Sequence, residues 1–446
     1  MPRRYPDTHV LYRHLTREFP LIVKGEGCWL VDEDGRRYLD GCGGAYVASL
    51  GHGVTEVVNA VSAQIRDVAY VSGMSFTNRA AEELADLMAG LAIGDLSHFY
   101  FLSSGSDAVE AALKLARQYW VEQGHPEKSV IVAPQPGYHG NTLLTLSAGA
   151  RQHYRKYFEP WLLDVPRIPA PYAYRCPCRG ADPGCPRCSG RVLEETLLRI
   201  GPEKVAAFIA EPVGGSSTGA SVPRAEYWRT IREICDRHEV LWISDEVLVG
   251  AGRTGTWSAL EPYDAVPDIQ VMGKGISGGY APLASVGVPR RIADVLARGS
   301  GALLHAQTFS HTPMMCAAGV AAIQCLRDHG LVARCAEMGR VLHRELEALR
   351  GLPHIGDIRG RGLLAGIEFV ADTETRAPFP RDARFAERFT SAAQQAGLMV
   401  WPNTGHADGT EGDLVVLAPP FIISEEEIGE IVARLRTALN SVNSEQ

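Results

Sequence analysis

A basic surplus is missing from this chain of 446 residues: 44 Lys and Arg face 52 Asp and Glu, for a formal net charge of -8 at pH 7. A protein that tracks a nucleic acid carries a positive excess on one face, so that class is set aside. Long apolar runs are missing as well. No stretch approaches the roughly 18 uninterrupted apolar residues of a membrane span. The opening MPRRYPDTHVLYRHLTREFP scatters charge where a secretory signal would need a continuous apolar core. The expectation is a soluble, cytoplasmic protein. Lysine is scarce, with six residues (Lys24, Lys114, Lys128, Lys156, Lys204 and Lys274) against 38 arginines. Glycine is in surplus at 46 residues, against an average usage of about 7%, and shows no repeat.

Between residues 58 and 330 amphipathic stretches such as AAEELADLMAGLA (80–92) alternate with short apolar runs: HFYFL (98–102), SVIVA (129–133), VAAFIAE (205–211), VLWISDE (240–246), DIQVMG (268–273) and ASVGVP (284–289). Buried strands alternating with helices specify an α/β protein with a large, mostly parallel sheet, whose ligands sit beyond the carboxyl ends of the strands. Residues 331–446 read as a smaller α+β domain. Two helices are expected there, then a strand near 362–370, a helix near 383–397, a strand at 414–418 and a last helix after Ser424. Residues 1–57 contain a hairpin turning at Glu33-Asp34-Gly35 and are expected to pack with that tail. The stretch 166–190 is rich in Pro, Gly and Cys and reads as an inserted loop.

Gly250, Gly252 and Gly255 in GAGRTG match a dinucleotide fingerprint, but no helix follows: Pro262 and Pro267 stand in the way. A fingerprint that opens no helix lacks the N-terminus that would face a pyrophosphate, so a tight loop is the better reading. A stronger anion cradle is SSGSDAVEAALKLAR, where a strand ends in Ser103, Ser104, Gly105 and Ser106 before an amphipathic helix. Free N–H groups and the helix dipole there suit one phosphate, although an ordinary serine cap would look the same. Asp245 closes one buried strand and Lys274 the next, with Gly273 and Gly275 on either side of the lysine. The glycines are expected to leave room for a bulky adduct, and burial would push the amine toward nucleophilic reactivity. A phosphate cup, a carboxylate and a glycine-flanked lysine together are what pyridoxal 5'-phosphate requires.

These motifs resemble the class III (ω-) aminotransferases, a branch of the fold-type-I pyridoxal-phosphate enzymes. The likeness runs through YLDGCGGAYVASLGHG (38–53), FLSSGSDAVEAALKLAR (101–117), GYHGNT (137–142), AEPVGG (210–215), SDEVLVGAGRTG (244–255), MGKGISGGYAPL (272–283) and QTFSHTP (307–313). The resemblance implies Lys274 as the Schiff-base lysine, serving as general base and acid, and Asp245 as the partner of the ring nitrogen. It implies that Ser104, Gly105 and Ser106 hold the phosphate. Tyr138 and Val247 would flank the ring, with His139 beside Tyr138. It further implies that Thr308 reaches the phosphate of a neighbouring subunit, so that a homodimer shares its sites, and that Tyr46 and Glu211 line the substrate side. The implied reaction is a ping-pong exchange between an amine or ω-amino donor and a keto acid or aldehyde acceptor. Lyases, decarboxylases and aminomutases share the same constellation.

The chain departs from the family where relatives that use α-keto acids often carry an arginine, just before a Gly-Asp pair. Here Glu411 precedes Gly412-Asp413. It either pairs with a second cationic group of the substrate or points into solvent. Six of the ten cysteines are scattered, whereas Cys176, Cys178, Cys185 and Cys188 form C-x-C-x6-C-x2-C inside the insert. That spacing suits either a tetrahedral zinc or four free thiols.

Overall fold

The computed structural model describes residues 3–182 and 184–444. Its centre is a seven-stranded sheet in the order Leu96–Leu102, Ala284–Pro289, Ile269–Met272, Leu241–Glu246, Val205–Ala210, Val130–Gln135, Arg167–Pro169. The last five strands in that order are parallel, and only Ala284–Pro289 runs against its neighbours. Its direction follows from its connection: the chain between Met272 and Ala284 holds one short 3-10 turn and no crossover helix, and a parallel return needs a crossover. The central strands Val205–Ala210 and Leu241–Glu246 are buried at every position. That burial on both faces explains their unbroken apolar runs. Helix Gly105–Glu122 lies beneath the sheet on a face of small residues, Ala108, Ala111, Ala112 and Ala116, which lets its backbone approach the strands. On the opposite side Trp228 and Trp242 stack at 5.3 Å, both fully buried.

A second, antiparallel sheet is formed by Ile355–Gly360, Ala365–Phe369, Asp413–Leu417 and Trp401–Thr404. Helices Leu331–Leu346, Phe385–Gln395 and Glu425–Ser444 pack around it. Only one of the two expected helices exists after residue 331; strand Ile355–Gly360 takes the place of the other. The hairpin Trp29–Asp32 and Arg37–Asp40 turns at Gly35, whose φ is +81°, and its second strand pairs in parallel with Leu398–Met399. Segment 166–190 is not wholly irregular. Residues Arg167–Pro169 form the edge strand of the central sheet, and Pro186–Ser189 form one helical turn. Pro183 within it lies outside the described residues. Among the described residues no helix is long and apolar enough to cross a membrane.

Candidate active site

A cavity of about 490 Å³ opens beyond the carboxyl ends of the parallel strands. Lys274 lies on its floor, with Nζ 5.6 Å from the centre of the Tyr46 ring. Burial lowers the lysine pKa, and the nearby carboxylates of Asp245 and Glu211 only partly restore it. Its backbone sits at φ +45°, an unusual conformation for a lysine. The flanking glycines serve packing more than an adduct. A Cβ on Gly273 would sit 3.2 Å from Val247 Cγ1, and one on Gly275 3.2 Å from the Ala251 Cβ. Both glycines let the lysine turn press against the loop after Asp245.

Asp245 is held from two sides. Its Oδ1 accepts the Val247 N–H at 3.1 Å and its Oδ2 accepts from His139 Nδ1 at 2.8 Å. His139 is fully enclosed and its Nε2 has no partner. Tyr138 is half-buried on the cavity wall, where its N–H donates to Glu211 Oε2 at 3.2 Å. Glu211 also accepts from Ser217 Oγ at 2.7 Å and Gly215 N–H at 2.9 Å, so it orders the wall, and burial raises its pKa. Tyr46 is 4% exposed and its hydroxyl has no partner. Gly105 and Ser106 line the cavity at the start of helix Gly105–Glu122. Ser104 is exposed and off the wall, its Oγ used as the helix cap for Asp107 N–H at 3.1 Å.

Besides Ser104, two expected residues are not brought to the cavity within one chain. Thr308 is exposed, and its carbonyl accepts from the Tyr70 hydroxyl at 3.0 Å. Glu411 belongs to the loop between Trp401–Thr404 and Asp413–Leu417, where its N–H donates to Asp408 Oδ1 at 2.7 Å. Conversely, the cavity contains residues that no motif announces: Arg13, Arg151, Tyr154 and Trp401. Arg151 lies 4.8 Å from the Tyr154 ring centre and 5.9 Å from that of Tyr138. Its Nη1 donates to Ser216 Oγ at 3.2 Å, and its Nε is buried without a partner among the described residues. In a chain with 38 arginines, nothing local singles it out.

The shape suits a planar, phosphorylated cofactor. Gly105 and Gly140 are cut away where the helix meets the cavity: a Cβ on Gly105 would lie 2.7 Å from Val247 Cγ1, and one on Gly140 2.7 Å from Ser106 Oγ. A helix start left open in this way is an anion site, and a half-buried lysine shares the cavity with it and with a buried carboxylate. The Aminotransferase class-III family model matches residues 12–439. The chain belongs to the class-III aminotransferases.

Like other class-III aminotransferases, it depends on pyridoxal 5'-phosphate and transfers amino groups. It is 36% identical to the Bacillus subtilis aminotransferase YodT over 96% of each chain. It is 32% identical to the putrescine–pyruvate aminotransferase of Pseudomonas aeruginosa, over 94% of this chain and 90% of that one. A solved amine transaminase from an uncultivated Pseudomonas species, with the cofactor bound, superimposes with a TM-score of 0.90 at 33% identity. That match covers 97% of this chain and 99% of the other. The fold is thus that of the fold-type-I transaminases. The GAGRTG glycines close a buried loop, with Gly252 and Gly255 at φ +94° and +87° and no helix after them.

Proposed function

We propose that this aminotransferase moves the amino group of an amine or ω-amino compound onto a keto acid or aldehyde in two half-reactions of ping-pong order, with Lys274 as the proton carrier. The observation that carries this reading is the half-buried Lys274 on the cavity floor, its pKa lowered by desolvation, with Asp245 one strand away. Pyridoxal phosphate, when bound, supplies an electron sink that acidifies the C–H beside the transferred nitrogen. A lysine poised toward its neutral form can accept that proton at Nζ and return it at another atom. Asp245, oriented by His139, is suited to hold a proton on the ring nitrogen. Gly105 and Ser106 offer the helix start to the phosphate, and Tyr138 and Val247 confine the ring. Tyr46, Leu248 and Trp401 form an apolar wall for the donor's carbon chain. Arg151, with its unpartnered Nε, is placed for the carboxylate of a keto acid.

A second copy of the chain is proposed to complete the site through Thr308. Tyr70, which donates to the Thr308 carbonyl, meets the exposed Phe309 ring at 6.2 Å, and Met74, Phe76 and Leu304 near them in the chain are exposed as well. Exposed groups of that kind mark an association surface. A reducing compartment, the cytoplasm, suits ten cysteines that are all thiols. The test is a panel of mono- and diamines against pyruvate or 2-oxoglutarate. Transfer with parallel double-reciprocal lines is expected. Release of ammonia or CO2 without an acceptor would instead establish a lyase or decarboxylase, and internal amino migration an aminomutase.

A further inference from the structure

We propose that Cys176, Cys178, Cys185 and Cys188 form a structural zinc site that staples the edge of the large domain to the small-domain sheet. The four Sγ atoms all lie within 4.8 Å of one another. The closest approaches are 3.3 Å for Cys176 with Cys178, 3.4 Å for Cys178 with Cys188 and 3.6 Å for Cys176 with Cys185. Zn–S bonds of about 2.3 Å place tetrahedral sulfurs about 3.8 Å apart, so a small contraction or expansion of this group encloses one ion. The sulfurs are too close together to wrap a cluster of several irons. Zinc needs no particular ligand field and favours soft thiolates.

Local structure explains the convergence. Cys185 precedes the helical turn Pro186–Ser189 and Cys188 lies within it, and the turn stops at Gly190 with φ +84°. The x2 spacing therefore presents both sulfurs on one side. Cys176 follows the 3-10 turn Ala173–Arg175, and tight turns closed by Arg179 N–H on Cys176 O and Ala181 N–H on Cys178 O, each 2.8 Å, fold Cys178 back. Three of the thiols are buried, yet the hydrophobic cluster they form contains no residue other than these four cysteines. Without an aliphatic core, nothing but the thiols stands at the centre of this knot. An ion supplies what is missing: four thiols release four protons to solvent as four Zn–S bonds form, and the binding free energy becomes folding free energy.

The knot has mechanical reach. Immediately before it, Tyr172 donates from its hydroxyl to the buried Glu368 of the small-domain sheet, and Arg175 Nε donates to the same carboxylate at 2.7 Å. On the other side Ser221 Oγ donates to Pro171 O at 2.8 Å, next to the wall that Glu211 orders. Closing the four-cysteine loop thus fixes both anchors.

The test is metal analysis of the full-length holoenzyme, expressed in zinc-supplemented medium and purified with reductant and without chelator. About one zinc per chain is expected, released by a mercurial thiol reagent, and C185S/C188S is expected to lose it together with thermal stability. Should that variant fail to fold, wild-type protein expressed with cobalt decides. The visible bands of a tetrahedral cobalt thiolate support the site, and their absence overturns it. Substoichiometric zinc, stoichiometric iron, or disulfides among these four cysteines in the reduced preparation would each overturn the proposal.

Discussion

Replacing Arg151 by Met separates the two halves of the proposed reaction. The substitution keeps an apolar stem against Tyr138 and Tyr154 and removes the guanidinium, whose Nε is buried without a partner and whose Nη1 donates to Ser216 Oγ at 3.2 Å. Hydrogen bonds to a charged group contribute about 1.5–3 kcal/mol each. Losing one such bond to the acceptor carboxylate therefore lowers kcat/KM for pyruvate or 2-oxoglutarate by about 10- to 150-fold. An aliphatic aldehyde has no carboxylate, so its kcat/KM is expected to stay within about twofold, because that substrate makes no interaction for the change to remove. The assay is initial rates with one fixed amine donor and both acceptors. Equal losses for keto acid and aldehyde would refute the reasoning and leave Arg151 as a prop for the wall. Unchanged keto acid kinetics would refute it as well.

Lys274→Ala is expected to abolish turnover with every donor, measured by product formation, while pyridoxal phosphate still binds non-covalently through the helix start. Gly105→Ala would place a Cβ 2.7 Å from Val247 Cγ1; overpacking of this kind costs about 1–3 kcal/mol, read as a lower Tm and weaker cofactor retention on dialysis. Glu368→Gln removes the buried carboxylate shared by the half-buried Arg359 and Arg175 while Arg359 keeps Asp357 at 2.9 Å, an expected loss of about 1.5–3 kcal/mol by urea denaturation. Burial alone would raise the Glu368 pKa, but Arg359, His406 and Arg175 outweigh it and hold it below the ordinary 4.5. Its contribution is therefore complete above the unfolded value and fades as pH falls through the folded one, so the gap between wild type and variant narrows in acid. Glu411→Gln is expected to leave the ratio of diamine to monoamine rates unchanged, since Glu411 lies in a loop away from the cavity wall.

Elements that are buried on both faces were legible as sequence. Leu241–Glu246 is buried throughout, so its apolar run has no competing interpretation beyond its length. Ile355–Gly360 was misread for a physical reason. Its two buried residues, Ile355 and Ile358, are three apart, as on a helix, and a register shift between Ile355 and Asp357 lets a strand bury both. The direction of Ala284–Pro289 was not written in its own composition; it depends on the absence of a crossover helix before it. Segment 166–190 looked aperiodic because its one strand is three residues long at a sheet edge.

The sequence by itself determined the groups of the proposed reactive centre. A glycine-flanked lysine just after one strand, an aspartate near the end of the neighbouring strand and a Ser-Gly-Ser helix start are each marked by the local pattern of the chain. Tertiary structure decided what surrounds them. Tyr46, Arg151 and Trp401 meet at one cavity only because the N-terminal hairpin, the seven-stranded sheet and the antiparallel sheet close on one another. The cysteine insert shows both causes at once: spacing alone left zinc and free thiols both open, and the folding of two turns onto each other brought four sulfurs within 4.8 Å. Chemistry carried by neighbours in the chain is readable from the chain; chemistry carried by neighbours in space depends on packing between distant segments, which no local pattern records.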